Sequence, residues 1–172
     1  MRDGAAALAN TPRTAIAAGF PPHARDERDH SALHFAALYD YEDIFFEFVK
    51  RGLNLHAKSG SGESVLVMAV RKDSPSALRM IQRILSDGLT SVDALPSAFH
   101  IACGRSSVDA VVALIAAGAN INHENQPLFQ AVENNRTDIV GVLLKQGART
   151  DIRMPKEEFG DNKFCKKTPL EM

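Results

Sequence analysis

The sequence predicts an all-α array of repeated helix–turn–helix units, and three observations support this fold class. Similar segments, each centred on a leucine or phenylalanine, recur along the chain at Leu33, Leu66, Phe99, Leu128 and Leu170. A glycine follows the first, third and fourth of these residues at one fixed distance. Apolar residues recur at helical spacing between the two markers. Self-similarity at a fixed period of about 33 residues indicates a stacked repeat architecture.

The first helix of each unit is expected to pack closely against its neighbours. Leu33, Ala36 and Ala37 lie at i, i+3 and i+4, which places them on one helix face. The first alanine recurs at the same place in the next three units, at Ala69, Ala102 and Ala131. A small side chain at this place lets adjacent helices approach one another.

The second helix of each unit is predicted to end at a glycine. Its apolar residues again follow helical spacing, as in Ile44, Phe45, Phe48 and Val49. The glycines are Gly52, Gly88, Gly118 and Gly147, with Gly19 in the same role before them. Glycine readily adopts the left-handed backbone that ends a helix. Because no unit can bury its apolar face alone, stability must come from stacking.

Two departures from the period predict irregular loops. The second unit is longer than the others between its two markers, and Asp73–Ser76 contain the excess. We therefore expect a bulged turn between its helices. The spacing also shortens the second and third loops and enlarges a charged loop at Pro155–Lys167.

The recurring pattern resembles the ankyrin repeat. Gln126-Pro-Leu and Thr168-Pro-Leu-Glu match the opening of that repeat, and Gly118-Ala-Asn-Ile-Asn122 matches the entry to its hairpin. The resemblance implies an all-α ankyrin-type solenoid with short β-hairpin or loop fingers. It also implies that His34 and His100, at the motif histidine, brace their turns through backbone hydrogen bonds.

The resemblance divides the chain into six segments. Residues 1–28 form a degenerate N-terminal half-repeat or cap, and residues 29–62, 63–95, 96–124 and 125–154 form four repeats. Residues 155–172 hold the charged loop and the start of a truncated fifth repeat. Because a repeat array needs polar capping units, this incomplete repeat indicates either a segment of a longer protein or a truncated cap.

The composition is that of a folded, intracellular protein. Of its 172 residues, 45% are hydrophobic and 24% charged, which is unlike a disordered chain. The formal net charge of −1 gives no reason to expect nucleic-acid binding. Two cysteines are too few for a disulfide framework and suit a reducing compartment in the cytoplasm or nucleus. No apolar run reaches the length needed to cross a membrane.

No motif predicts catalysis, a cofactor or a metal. Phosphate-binding loops, nucleophile elbows and zinc-protease helices are all missing from the sequence. His30 and His34 lie at i, i+4, and His100 and Cys103 at i, i+3, yet a closed zinc site needs four ligands. Cys103 occupies a motif alanine position, so we expect a packed thiol and not a nucleophile. The protein is not expected to be an enzyme.

The resemblance places partner-binding residues at loop tips and at the exposed ends of the first helices. Carried over unit by unit, the helix ends are Leu38, Tyr39, Arg71, Lys72, Arg105, Glu133 and Asn134. The series runs from apolar and aromatic through basic to acidic and polar. It favours a protein or peptide partner with acidic groups and an apolar anchor. The alternative, which explains the series nearly as well, is that these residues simply face solvent and bind nothing. Phe46 is either shielded by the N-terminal segment or part of a second contact patch.

These observations favour a protein–protein interaction module that binds a partner on its concave face and loop tips. The alternative is a regulatory ankyrin segment of a larger enzyme or channel that docks on its own polypeptide.

Overall fold

The computed structural model describes residues 24–88, 94–124 and 126–151. Within them, helices form four consecutive pairs. The pairs are α1 (Ala32–Leu38) with α2 (Glu42–Lys50), α3 (Val65–Val70) with α4 (Pro75–Ser86), α5 (Ala94–Arg105) with α6 (Val108–Ala116), and α7 (Pro127–Glu133) with α8 (Thr137–Lys145). The segments assigned to a half-repeat before residue 24 and to a fifth repeat lie outside the described residues.

The helix pairs stack in two parallel rows. α1, α3, α5 and α7 contact one another in order and form the inner row, while α2, α4, α6 and α8 form the outer row. Each inner helix also packs on the outer helix of its own unit. Leu33, Leu66, Phe99 and Leu128 occupy equivalent places in the inner row and are all buried. The predicted repeat register and the all-α fold class are therefore confirmed.

Serine and proline residues fix where several helices begin. The Ser64 and Ser74 hydroxyls accept hydrogen bonds from the backbone N–H groups of Val67 and Ala77, at 3.3 and 3.0 Å. Such side-chain acceptors satisfy N–H groups that have no partner within the helix. Pro75 and Pro127 occupy the first turns of α4 and α7, where the missing N–H costs nothing.

The four glycines end the outer helices as predicted. Gly52, Gly88, Gly118 and Gly147 directly follow the last turns of α2, α4, α6 and α8, with φ between +70° and +94°. After α2, the N–H of Leu53 donates to the carbonyl oxygen of Phe48 at 3.2 Å, which closes the helix end. The left-handed backbone required here strains any residue with a side chain.

The turns between inner and outer helices are only partly as expected. After α1 and α7, Asp40 and Asn135 adopt left-handed backbone conformations, a role that the sequence pattern did not reveal. The expected bulge in the second unit is wrong in its main part. The extra residues chiefly lengthen α4, which has 12 residues where α2 has nine. Pro75, capped by Ser74, starts this helix directly after a short turn.

The fingers between units are loops with little β structure. Among the described residues, pairing across the fingers is confined to two single bridges, Arg25 with Ser31 and Lys58 with Ser64. The inner helix of the third unit starts early: α5 begins at Ala94, five residues before the motif residue Phe99. The counterparts α1, α3 and α7 each begin one residue before theirs.

The last described unit has a less covered face than the units before it. Val132 and Val140 are half-buried. Their counterparts one unit earlier, Cys103 and Val111, are fully buried, because α7 and α8 cover them.

Candidate interaction surface

The proposed partner-binding residues lie where the repeat register places them, at the C-terminal ends of the inner helices. Leu38, Arg105 and Glu133 are the last residues of α1, α5 and α7. Tyr39, Arg71, Lys72 and Asn134 come one or two residues after the ends of α1, α3 and α7. We call these seven residues the inner ladder. Their placement follows the sequence prediction, and their role in binding stays a prediction.

Five of the seven side chains are exposed, and two are not. Tyr39 is 46% exposed, and Arg71, Arg105, Glu133 and Asn134 also face solvent. Leu38 and Lys72 are half-buried and therefore less exposed than the other five. Leu38 packs against the core because its helix turns toward α2 immediately afterwards.

An aromatic run occupies the first unit of the inner ladder. The rings of Phe35 and Tyr39 are nearly parallel, with centroids 6.3 Å apart, and Tyr39 stacks on Tyr41 at 5.8 Å. Phe35 also meets the edge of the His30 ring at 5.7 Å. Residues four apart face each other on a helix, so the spacing of Phe35 and Tyr39 signals this contact in the sequence. Stacking holds Tyr39 in place while leaving much of its surface uncovered.

Basic side chains occupy the second and third units of the inner ladder. Arg71 forms an ion pair with Glu63, and its Nη1 atom lies 3.9 Å from the Met68 sulfur. Within the described part of the chain, no ion pair involves Lys72 or Arg105. The surface therefore changes from aromatic in unit one to positively charged in units two and three.

The fourth unit ends the inner ladder in a polar contact. The Asn134 side-chain amide donates to the backbone carbonyl oxygen of Gln130 at 2.8 Å. Gly104 on α5 faces this pair so closely that an added Cβ would lie 2.9 Å from the side-chain amide nitrogen of Gln130. α5 and α7 are therefore in tight contact at their C-terminal ends.

The motif histidine of the first unit joins two neighbouring units. His34 Nδ1 accepts a hydrogen bond from the backbone N–H of Ser31 at 3.1 Å, so the proton lies on Nε2. That nitrogen donates to the carbonyl oxygen of Glu63, also at 3.1 Å, in the finger that follows. Burial lowers the pKa of His34, although the Glu63 hydrogen bond opposes this effect. The bracing role implied by the resemblance is thus present at His34.

The side chains weighed for metal binding or nucleophilic chemistry have other roles in the structure. His34 uses both ring nitrogens in hydrogen bonds, and His30 Nδ1 lies 3.0 Å from the Asp26 carboxylate. The described ranges contain no cluster of three or more potential metal ligands. Burial raises the pKa of the Cys103 thiol to about 12, so the reactive thiolate is scarce near neutral pH.

Phe46 is half-buried and packs its ring edge-on against Phe45, with the centroids 5.5 Å apart. Whether the N-terminal segment also shields it concerns residues 1–23, which lie outside the described part. No helix in the described residues is long and apolar enough to cross a lipid bilayer.

Comparison with known proteins agrees with this geometry. A family model for ankyrin repeats matches residues 78–154 in three copies. The crystal structure of the human ASB11 ankyrin repeat domain superposes with a TM-score of 0.71 and 25% identity, over 87% of this chain and 69% of that one. Residues 78–154 thus match ankyrin repeats, and the described helix pairs have the fold of an ankyrin repeat domain.

Curated relatives carry similar arrays inside longer polypeptides. The mouse B-cell lymphoma 3 protein homolog is 28% identical over 71% of this chain and 29% of its own length. The Arabidopsis potassium channel AKT2/3 is 27% identical over 91% of this chain but 19% of its own length. Human neurogenic locus notch homolog protein 2 is 28% identical over 77% of this chain and 6% of its own. The chain thus spans less than a third of each of these relatives.

Proposed function

We propose that this ankyrin-repeat array is a protein-interaction module that holds a segment of another protein along the inner ladder. Ankyrin repeats are in general protein-interaction modules, and rigid stacked repeats present long surfaces suited to this task. The observation that supports this surface is the graded change along one row. An exposed, stacked Tyr39 in unit one is followed by Lys72 and Arg105 without ion-pair partners among the described residues.

The spacing of the row defines what such a segment looks like. Packed helices lie roughly 8–10 Å apart, so equivalent positions in neighbouring units are separated by about that distance. An extended chain advances about 3.3 Å per residue. An apolar residue over Tyr39 would thus be followed by carboxylates at intervals of about three residues, near Lys72 and then Arg105.

Each end of the row contributes differently to binding. Tyr39 offers apolar area from a ring that stacking already orders, so little side-chain entropy is lost on binding. Tyr and Arg are also the residue types that most often dominate interface energetics. Lys72 and Arg105 favour an acidic partner over a basic one, and therefore supply specificity more than affinity.

The test combines capture of a partner with a variant of the inner ladder. The folded chain is used for affinity capture, the recovered proteins are identified by mass spectrometry, and binding of each candidate is measured with purified components. The double variant Tyr39→Ala, Arg105→Glu should bind the true partner at least tenfold more weakly.

A matched double variant on the outer row, Val112→Ala with Lys145→Glu, makes the same kinds of change at exposed positions. It should retain wild-type affinity. If the inner-ladder variant folds normally and binds every captured protein as the wild type does, this surface is not the binding site.

The second candidate function is a regulatory segment that docks on its own polypeptide. It is favoured by the match to the Arabidopsis potassium channel, which covers 91% of this chain but only 19% of the channel. The same capture experiment separates the two functions. Recovery of a distant part of the same polypeptide, sensitive to the Tyr39→Ala, Arg105→Glu variant, would favour regulation in cis. The cysteine content suits a reducing compartment, so we propose an intracellular site of action for either function.

A further inference from the structure

The second unit differs from the first at the motif histidine position. In unit one, His34 fills the space between the start of α1 and the next finger, and bonds to the Glu63 carbonyl oxygen. The equivalent residue in unit two is Val67. Valine is shorter than histidine and has no group that can donate a hydrogen bond across the gap. At this position, unit one is therefore hydrogen-bonded to the finger that follows it, whereas the side chain of unit two cannot form such a bond.

A cavity of about 240 Å³ lies beside Val67. One wall is the finger that contains Lys58, Ser61 and Glu63. A second wall is one face of α5, formed by residues spaced at i, i+3 and i+7, namely Ala94, Ser97 and Ile101. This wall exists because α5 begins earlier than its counterparts in the other units. Histidine is replaced by valine at the same junction where the following inner helix, α5, begins about one turn earlier than its counterparts.

The chemistry of the cavity suits a single apolar side chain. Its apolar lining comes from Val67, Ala94 and Ile101, while the finger contributes hydroxyl and charged groups and Ser97 on α5 adds a further hydroxyl. The volume is below the range of about 300–1,000 Å³ that is usual for small-molecule pockets. An aliphatic side chain that enters would leave water for an apolar surface, which favours binding. Its backbone would remain outside, beside the polar finger.

Charges near the cavity favour an acidic neighbour for that side chain. Glu63, on the finger wall, is already paired with Arg71. Lys72 follows one residue later and, in the described part of the chain, takes part in no ion pair. Val67 and Lys72 are five residues apart, which corresponds to about 7–8 Å along a helix, or two to three residues of an extended segment.

We infer that the cavity between units two and three is an anchor pocket for one aliphatic side chain of an acidic, extended peptide segment. The segment carries a carboxylate two or three residues from the anchor. This inference rests on the proposed function, because it assigns a specificity pocket to the same partner segment. The occupant belongs to another protein segment, and its charge is complementary to Lys72 and Arg105.

The probe is a phage-displayed library of random twelve-residue peptides selected on the intact chain, with affinities then measured on synthetic peptides. Val67→Phe fills the cavity from α3, and Ile101→Phe fills it from the α5 wall. Val112→Phe, at an exposed position of the outer row, is the matched control. Far-UV circular dichroism and thermal unfolding establish that each variant is folded. Because Val67 is buried, Ile101→Phe provides the test if Val67→Phe does not fold.

The inference expects enriched peptides that combine an aliphatic residue with a carboxylate two or three positions away. Each filling variant should weaken their binding at least tenfold, and Val112→Phe should change it less than twofold. Replacing the aliphatic residue by alanine should weaken binding to the wild type and have little further effect on a filled variant. Such non-additivity would place the anchor in the cavity.

Three outcomes would overturn the inference. They are unchanged affinity for a folded filling variant, an aliphatic residue that alanine replaces without loss, and the absence of any enriched peptide. The Tyr39→Ala, Arg105→Glu variant separates this inference from the function on which it rests. Peptides that lose affinity for that variant but not for the filled variants would refute the anchor pocket and leave the inner ladder as the binding surface. Peptides that bind all of these variants as tightly as the wild type would refute both proposals.

Discussion

The inner and outer rows of helices carry the same number of units but differ in how they tolerate change. In the inner row, every residue of α3 is buried and the helices touch closely enough for Gly104 to meet side chains of the next unit. In the outer row, helices bury one face only, and Val112 and Leu144 remain substantially exposed. The inner row is thus closely packed and carries its ladder residues at helix ends, whereas the outer row packs behind it.

The largest difference between a buried inner-row position and an exposed outer-row position should appear on truncation. Phe99 is fully buried in α5, so Phe99→Ala should lower the free energy of unfolding by about 3–5 kcal/mol, through lost apolar burial and the cavity left behind. Val112→Ala in the outer row should change it by less than about 0.5 kcal/mol. Urea unfolding followed by circular dichroism measures both. Similar losses for the two variants would contradict the distinction.

Close packing in the inner row should also make added volume harmful. Gly104→Val introduces a branched side chain where a Cβ alone would lie 2.9 Å from the side-chain amide nitrogen of Gln130. Overpacking costs about 1–3 kcal/mol, and we expect a loss near the lower end of that range, because the contacted amide ends of Gln130 and Asn134 can shift. Thermal unfolding provides the measurement. A more stable Gly104→Val protein would show that these side chains of α7 move aside without cost.

The outer row offers the opposite case at Gly141 in α8. No atom lies within 4 Å of a Cβ built there, and the backbone is helical. Gly141→Ala should therefore raise the free energy of unfolding by about 0.5–1 kcal/mol, since alanine loses less backbone entropy in a helix. Denaturant unfolding of this variant beside Gly104→Val compares one glycine from each row. A loss of stability at Gly141 would mean that the outer face is more crowded than its open surroundings indicate.

The smallest expected effect is on the pH dependence of stability, and it concerns His34 in the inner row. Burial lowers its folded-state pKa below the ordinary value of about 6.5, so folding favours the neutral ring. Its contribution is fully present above about pH 6.5 and is lost as the pH falls through the folded pKa. Urea unfolding between pH 8 and pH 5 should show a shallower acid loss for His34→Gln than for the wild type. Parallel curves would mean that His34 has the same pKa folded and unfolded.

The repeat register could be predicted because it depends on contacts that each unit makes in the same way. Gly52 and Gly147 mark helix ends since only glycine adopts their backbone without strain, and this constraint is visible in one sequence. Asp40 and Asn135 serve a similar role but were missed, because polar residues occupy many other positions as readily. The lengthening of α4 was missed because Pro75 can begin a helix as well as form part of a loop.

The interaction surface was less predictable than the fold. The register located the ends of the inner helices, but not the ion pair between Arg71 and Glu63, which joins residues on either side of α3. Nor did it reveal the cavity beside Val67, which depends on where α5 begins. Such features arise from side-chain reach and loop geometry that a repeating pattern does not encode. The replacement of the motif histidine by Val67 was the available signal.

The half-buried valines at the last described unit, Val132 and Val140, give the array a polarity. They lie at the register positions that join one unit to the next inside the stack. Because each joint uses the same register positions, the contacts of one unit with its neighbour do not depend on how many units the stack contains. The described units thus share one internal geometry that nearest-neighbour contacts set.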